Sequence, residues 1–185
     1  RFKKAYGFRS LRVQDPADVM RRIWASPTFE IHGLSGGYHG QGVKTVVPGH
    51  AELKVSMRLV PCQVPDRVFA LLKKHVAKVN PDVKVEKEGM LHPFKGSFEG
   101  SYVDCVKRAV KAGFGKDPAF VREGGSIGAV VTMQKTWKVP ILFIGLSLPE
   151  HGYHAPNEYY DWGQASGGMK TFAHYFSELA KIGKA

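Results

Sequence analysis

Nine consecutive residues, Ala51-Glu52-Leu53-Lys54-Val55-Ser56-Met57-Arg58-Leu59, alternate apolar with polar. That period of two fits a strand with one face buried and the other in water. Such a strand needs an antiparallel neighbour, and a helix to cover its apolar face. Both lie close by in the chain. Residues 28–32 read as a short strand. Residues 65–79 carry Val68, Leu71, Leu72, His75, Val76 and Val79 at helical spacing, with Lys73, Lys74 and Lys78 on the other side. Between the strands, Gly33-Leu34-Ser35-Gly36-Gly37-Tyr38-His39-Gly40-Gln41-Gly42 holds five glycines and reads as a loop. The stretch 43–60 is strand-like throughout, with a break at Pro48-Gly49.

Residues 16–24 predict a helix, with Asp15 as N-cap, Pro16 at its first position and Val19, Met20 and Ile23 as its apolar stripe. Residues 83–88 alternate again. Up to about Gly96 the expectation is therefore an α+β unit, an antiparallel sheet with helices on one face. Beyond it the order changes to a helix at 102–114 ended by Gly113 or Gly115, a short strand at 119–122 and a helix at 129–137. A nearly continuous apolar run at 139–146 and a closing helix at 166–182 follow. A continuous apolar run marks a strand buried on both faces, so this second region reads as part of an α/β sheet. The predicted domains are residues 1–96, with a basic lead-in, and residues 97–185. No internal repeat is visible.

The formal net charge is +11. Residues 1–25 hold seven Lys or Arg against Asp15 and Asp18, and beyond them the excess is diffuse. No zinc-finger, helix-turn-helix or RNP pattern accompanies it, so the reading is a basic solvated surface and not a nucleic-acid site. No apolar run approaches the roughly 20 residues that span a bilayer, so no membrane partner is expected. The two cysteines, Cys62 and Cys105, fit a reducing compartment, and a cytoplasmic location is expected. The chain begins at Arg1 without methionine, so a piece of something longer is expected.

Three clusters could carry chemistry. Pro149-Glu150-His151-Gly152-Tyr153-His154-Ala155-Pro156-Asn157-Glu158 follows the apolar run, where ligands sit in open α/β sheets. Its histidines are surface residues or metal and acid–base groups. Arg122-Glu123-Gly124-Gly125-Ser126-Ile127-Gly128 joins a strand to a helix, either as a tight turn or as a cradle of backbone N–H groups for an anion. Gly42-Val43-Lys44-Thr45-Val46-Val47-Pro48 with Arg58 offers a solvated cation or a carboxylate clamp. No H-x-D, no adjacent acidic pair and no H-E-x-x-H supplies a complete metal site with its general base. Ser126, His154 and Asp161 could be drawn as a triad, but no G-x-S-x-G elbow supports one.

These clusters in this order resemble the dinuclear-zinc metallopeptidases of the carnosinase, aminoacylase and glutamate carboxypeptidase type. The matching stretches are Pro27-Thr28-Phe29-Glu30-Ile31-His32-Gly33, Lys44-Thr45-Val46-Val47-Pro48, Ser56-Met57-Arg58-Leu59-Val60-Pro61, Arg122-Glu123-Gly124-Gly125-Ser126-Ile127 and Gly152-Tyr153-His154-Ala155-Pro156-Asn157-Glu158. The resemblance implies a lid and dimerisation domain followed by the second half of a catalytic α/β domain. By it, His154 is the last zinc ligand. Arg58 and Thr45 hold the substrate carboxylate and polarise the scissile carbonyl, Ser126 and Gly125 belong to the carboxylate pocket, and His92 is a substrate-side histidine. Two zinc ions serve the intact site, while the general base and the other ligands precede this chain. The isolated chain is then expected to be inactive and to retain no zinc.

Two functional readings follow. In the first, the chain is part of a zinc-dependent homodimeric hydrolase of a dipeptide or N-acyl amino acid with a free carboxylate. In the second, it is a non-catalytic dimerisation and anion-binding module.

Overall fold

The computed structural model describes residues 2–123 and 127–182. It divides into two compact units. One contains residues 20–94 with Glu123, the other residues 2–19, 95–122 and 127–182. The basic residues up to Val19, read from sequence as a lead-in to the first domain, group with the second unit.

The unit of residues 20–94 is built on two antiparallel strands, β1 (Glu30–Gly36) and β2 (Ala51–Ser56). Glu30 pairs with Ser56 and Gly36 with Ala51, and the register slips by one between Ile31 and Gly33. The extra residue is His32, a bulge made easier by the glycine beside it. The strand thus continues to Gly36, past the sequence boundary at 32 and into the glycine stretch read as loop. A Cβ on Gly36 would stand 3.0 Å from the Ala51 backbone, and its φ is +154°. That glycine serves strand pairing, not flexibility.

The helix α3 (Pro65–Val79) falls on its predicted residues, with Pro65 in its first turn. The predicted strand at 83–88 is not one. Lys87 reaches Asp66 of α3 at 3.4 Å and lies over the Phe69 ring, which places it beside the helix. Much apolar surface remains uncovered in this unit: Leu34 is 78% exposed, Val43 91% and Val47 89%. The half-buried positions of α3 are Val68, Phe69, Leu72 and Val76, while Leu71, His75 and Val79 face solvent. The apolar stripe is narrower than its sequence pattern implies.

The other unit holds the short α1 (Phe2–Ala5), α4 (Ser101–Phe114), α5 (Gly128–Trp137) and α6 (Trp162–Leu179). The helix α2 (Pro16–Ala25) spans the boundary between the units and carries the expected cap, Asp15 Oδ1 accepting from the Asp18 N–H at 2.8 Å. The core lies between α4 and α6, where Val103, Cys105, Val106, Ala109 and Thr171 are buried. Arg108 of α4 pairs with Glu178 of α6 at 2.6 Å, and Lys181 joins the same carboxylate. Those two cations, Lys181 first, hold Glu178 below the usual carboxylate range.

The runs at 119–122 and 139–146, read from sequence as strands, are not strands in the structure. An extended segment becomes a strand only when a neighbour takes up its backbone donors and acceptors. Among the described residues the sheet holds β1 and β2 alone. Val139 and Phe143 are exposed, at 45% and 57%. Leu146 is an exception, packing where a Cβ on Gly168 of α6 would come within 2.5 Å of it. The closing helix begins at Trp162, four residues before the sequence boundary, because Asp161 caps it through the Gln164 N–H at 2.8 Å. No helix among the described residues is long and apolar enough to cross a membrane.

Candidate functional site

Arg58 follows β2 and is held by an extension of its ladder. The Thr28 N–H donates to the Arg58 carbonyl at 3.1 Å, and the Arg58 N–H donates to Thr28 Oγ1 at 3.4 Å. On the same face, Arg58 Nε lies 3.7 Å from Glu30 Oε2, which also accepts from the Ser56 hydroxyl at 3.4 Å. Both partners are about half exposed, so this pair contributes little to stability.

Thr45 lies in the coil between β1 and β2, which is tied near its start. The Tyr38 hydroxyl donates to the Gln41 carbonyl at 2.9 Å, and Lys44 Nζ sits 5.8 Å from the Tyr38 ring centroid. His92 is exposed in the coil after α3. No hydrogen bond among the described residues joins Thr45 or His92 to Arg58. Gly125 and Ser126 lie outside the described residues.

His154 stands on the loop ahead of α6. A short 3₁₀ turn, Pro149–His151, opens this loop, and Gly152, His154 and Asn157 all take left-handed backbone angles, with φ of 64°, 63° and 62°. Each such non-glycine residue costs energy that the surrounding contacts must offset. The Ala155 N–H donates to the Gly152 carbonyl at 2.9 Å, and the Tyr159 N–H to the His151 carbonyl at 3.1 Å. The His154 N–H reaches Glu158 Oε2 at 3.4 Å. Its ring meets the Tyr153 ring edge-on and makes no hydrogen bond among the described residues.

The neighbouring histidine behaves differently. His151 is 2% exposed. Its Nδ1 accepts from the Leu148 N–H at 3.1 Å, and its Nε2 lies 2.7 Å from Asp161 Oδ2. Tyr159 and Tyr160 meet its ring edge-on. The Asp161 carboxyl is held below its ordinary value, first by the Gln164 N–H and then by His151. Asp161 thus partners His151 and the helix start, not His154, which removes the paper triad. This pairing is what sequence reasoning missed, and the available signal was Asp161 standing three residues before Gln164, a helix-start pattern.

Among the described residues no group of three or more His, Cys, Asp or Glu side chains could hold a metal ion. A lone solvent-facing imidazole suits a divalent first-row metal as one ligand and cannot hold one unaided.

Residues 3–84 match the family profile described as the peptidase dimerisation domain of M20 peptidases. The chain is 34% identical over 186 residues to the Cys-Gly metallodipeptidase dug1 of Schizosaccharomyces pombe, covering 97% of this chain and 39% of that protein. It is 29% identical over 171 residues to the human Beta-Ala-His dipeptidase, covering 89% and 34%. A solved structure of the dipeptidase Dug1p from Saccharomyces cerevisiae superposes with a TM-score of 0.84 at 28% identity, over 99% of this chain and 40% of that one. Residues 3–84 are therefore an M20-type peptidase dimerisation domain, and the chain as a whole is a homologue of part of the M20 metallodipeptidases. It spans between about a third and two fifths of the length of these relatives.

Proposed function

We propose that the whole protein carrying this chain is a zinc-dependent dipeptidase acting on a small peptide with a free carboxylate. The observation that carries the reading is the 34% identity to a metallodipeptidase over 97% of the chain. Within it, His154 is one zinc ligand, presented by a loop whose backbone is fixed. Arg58 grips the substrate carboxylate through paired N–H donors, oriented by Glu30. Thr45 polarises the scissile carbonyl, Gly125 and Ser126 complete the carboxylate pocket, and His92 lies on the substrate side. When bound, zinc supplies a water nucleophile at neutral pH. The protein is a cytoplasmic homodimer joined through residues 3–84, where exposed apolar side chains need a cover.

The test is hydrolysis of a dipeptide panel by the whole protein before and after chelation. Activity lost with the chelator and restored by zinc is expected. Zinc-loaded whole protein inactive on every dipeptide would overturn the reading.

A further inference from the structure

His151 is among the largest fully buried side chains of the described residues, yet neither substrate holding nor metal ligation as proposed uses it. Its ring joins the two ends of one loop. Nδ1 takes the Leu148 N–H where the loop begins, at 3.1 Å, and Nε2 meets Asp161 Oδ2 where the loop ends, at 2.7 Å. The other Asp161 oxygen caps α6 through Gln164 at 2.8 Å. The His151 carbonyl accepts the Tyr159 N–H at 3.1 Å, closing the loop upon itself.

The hydrogen-bond pattern fixes the tautomer. The Leu148 N–H can only donate, so Nδ1 must present a lone pair and the proton sits on Nε2, pointing at Asp161. A doubly protonated ring would set N–H against N–H at Leu148. Tyr159 and Tyr160 cover the ring with their edges. Held inside this frame are residues 152–160, which include His154 in its left-handed backbone conformation.

We propose that His151 is a positioning residue for His154: as a neutral imidazole protonated on Nε2, it ties Leu148 to Asp161 and so sets the direction from which His154 meets its metal. The proposal rests on the reading of His154 as a zinc ligand. His151 itself touches neither metal nor substrate. Side chains that orient ligands typically matter by tenfold to a hundredfold in metal affinity, although they make no bond to the ion.

The experiment uses the whole protein and three readouts: zinc affinity by chelator competition, imidazole ¹⁵N spectra, and hydrogen exchange at the Ala155 and Tyr159 amides. Wild type should show the Nε2–H tautomer for His151. His151→Leu, which removes both bonds, should weaken zinc binding by roughly tenfold to a hundredfold and speed exchange at both loop amides, leaving those of α4 unchanged. His151→Gln keeps a donor toward Asp161 and should recover part of the affinity. If the Leu variant does not fold, Asp161→Ala decides, because it removes the oxygen that Nε2–H meets and should weaken zinc binding likewise. Wild-type affinity in a folded Leu variant or in a folded Asp161→Ala, or an Nδ1–H tautomer, would overturn the proposal. Should wild type bind no zinc, the ligand reading of His154 is what fails. Loop exchange then decides the frame, unchanged protection in the Leu variant contradicting it and lost protection upholding it.

Discussion

A Cβ on Gly113 of α4 would stand 2.1 Å from Thr171 Oγ1 and 2.6 Å from the Gly167 carbonyl of α6. The two helices therefore meet backbone to backbone, and the crossing admits no side chain. In an exposed helix, alanine would be favoured over glycine by about 1 kcal/mol. Here overpacking should outweigh that, so Gly113→Ala is expected to destabilise the fold by about 1–3 kcal/mol, seen as a lower Tm. A raised Tm for Gly113→Ala would contradict this packing.

Asp161 gives the fold an acid-side dependence. Its carboxyl is held below the ordinary value by the Gln164 N–H and by His151. The stability it contributes is therefore complete above the usual carboxylate range and lost as pH falls through its depressed folded value. The Tm difference between wild type and Asp161→Asn should be largest near neutrality and shrink as pH drops below about 4. A difference that does not change with pH would show that the carboxylate form is not what the loop and α6 require.

Helices were the legible part of this fold. Pro65, Asp15 with Pro16, and Gly115, which closes α4 with φ of 69°, are local signals read from a few residues each. Strands were less legible, because a strand is a property of two segments. Residues 139–146 have the composition of a buried strand and do not enter the two-stranded sheet. Residues 83–88 alternate correctly, but they do not enter the two-stranded sheet, and Lys87 lies beside α3. At the candidate site, the motif around His154 was visible in sequence. The role of His151 was not, because its bond to Asp161 spans ten residues of irregular loop that no periodicity reports.

Arg58 is expected to read a carboxylate. Lysine cannot reproduce its planar fork, so Arg58→Lys in the whole protein should lower kcat/KM by about tenfold to a hundredfold without loss of folding. A substrate amidated at its carboxylate should be poor for wild type and little worse for the variant. Equal penalties on acid and amide would make Arg58 a solvated strand residue paired with Glu30.

Self-association should reside in residues 3–84. Leu34 of β1 is 78% exposed, beyond what an isolated surface needs, and an isologous contact would cover it. Sedimentation of the whole protein should give a dimer, weakened by Leu34→Asp. A strict monomer at high concentration would exclude it.

The central claim is that His154 is a metal ligand of a dipeptidase, and zinc titration of His154→Ala in the whole protein tests it most directly. Removing a partner of a ligand already costs tenfold to a hundredfold, so removing the ligand itself should weaken zinc binding and lower kcat by more than about a hundredfold, with the Tm of the metal-free protein nearly unchanged. A folded His154→Ala protein with wild-type zinc affinity and near-normal kcat would contradict the account.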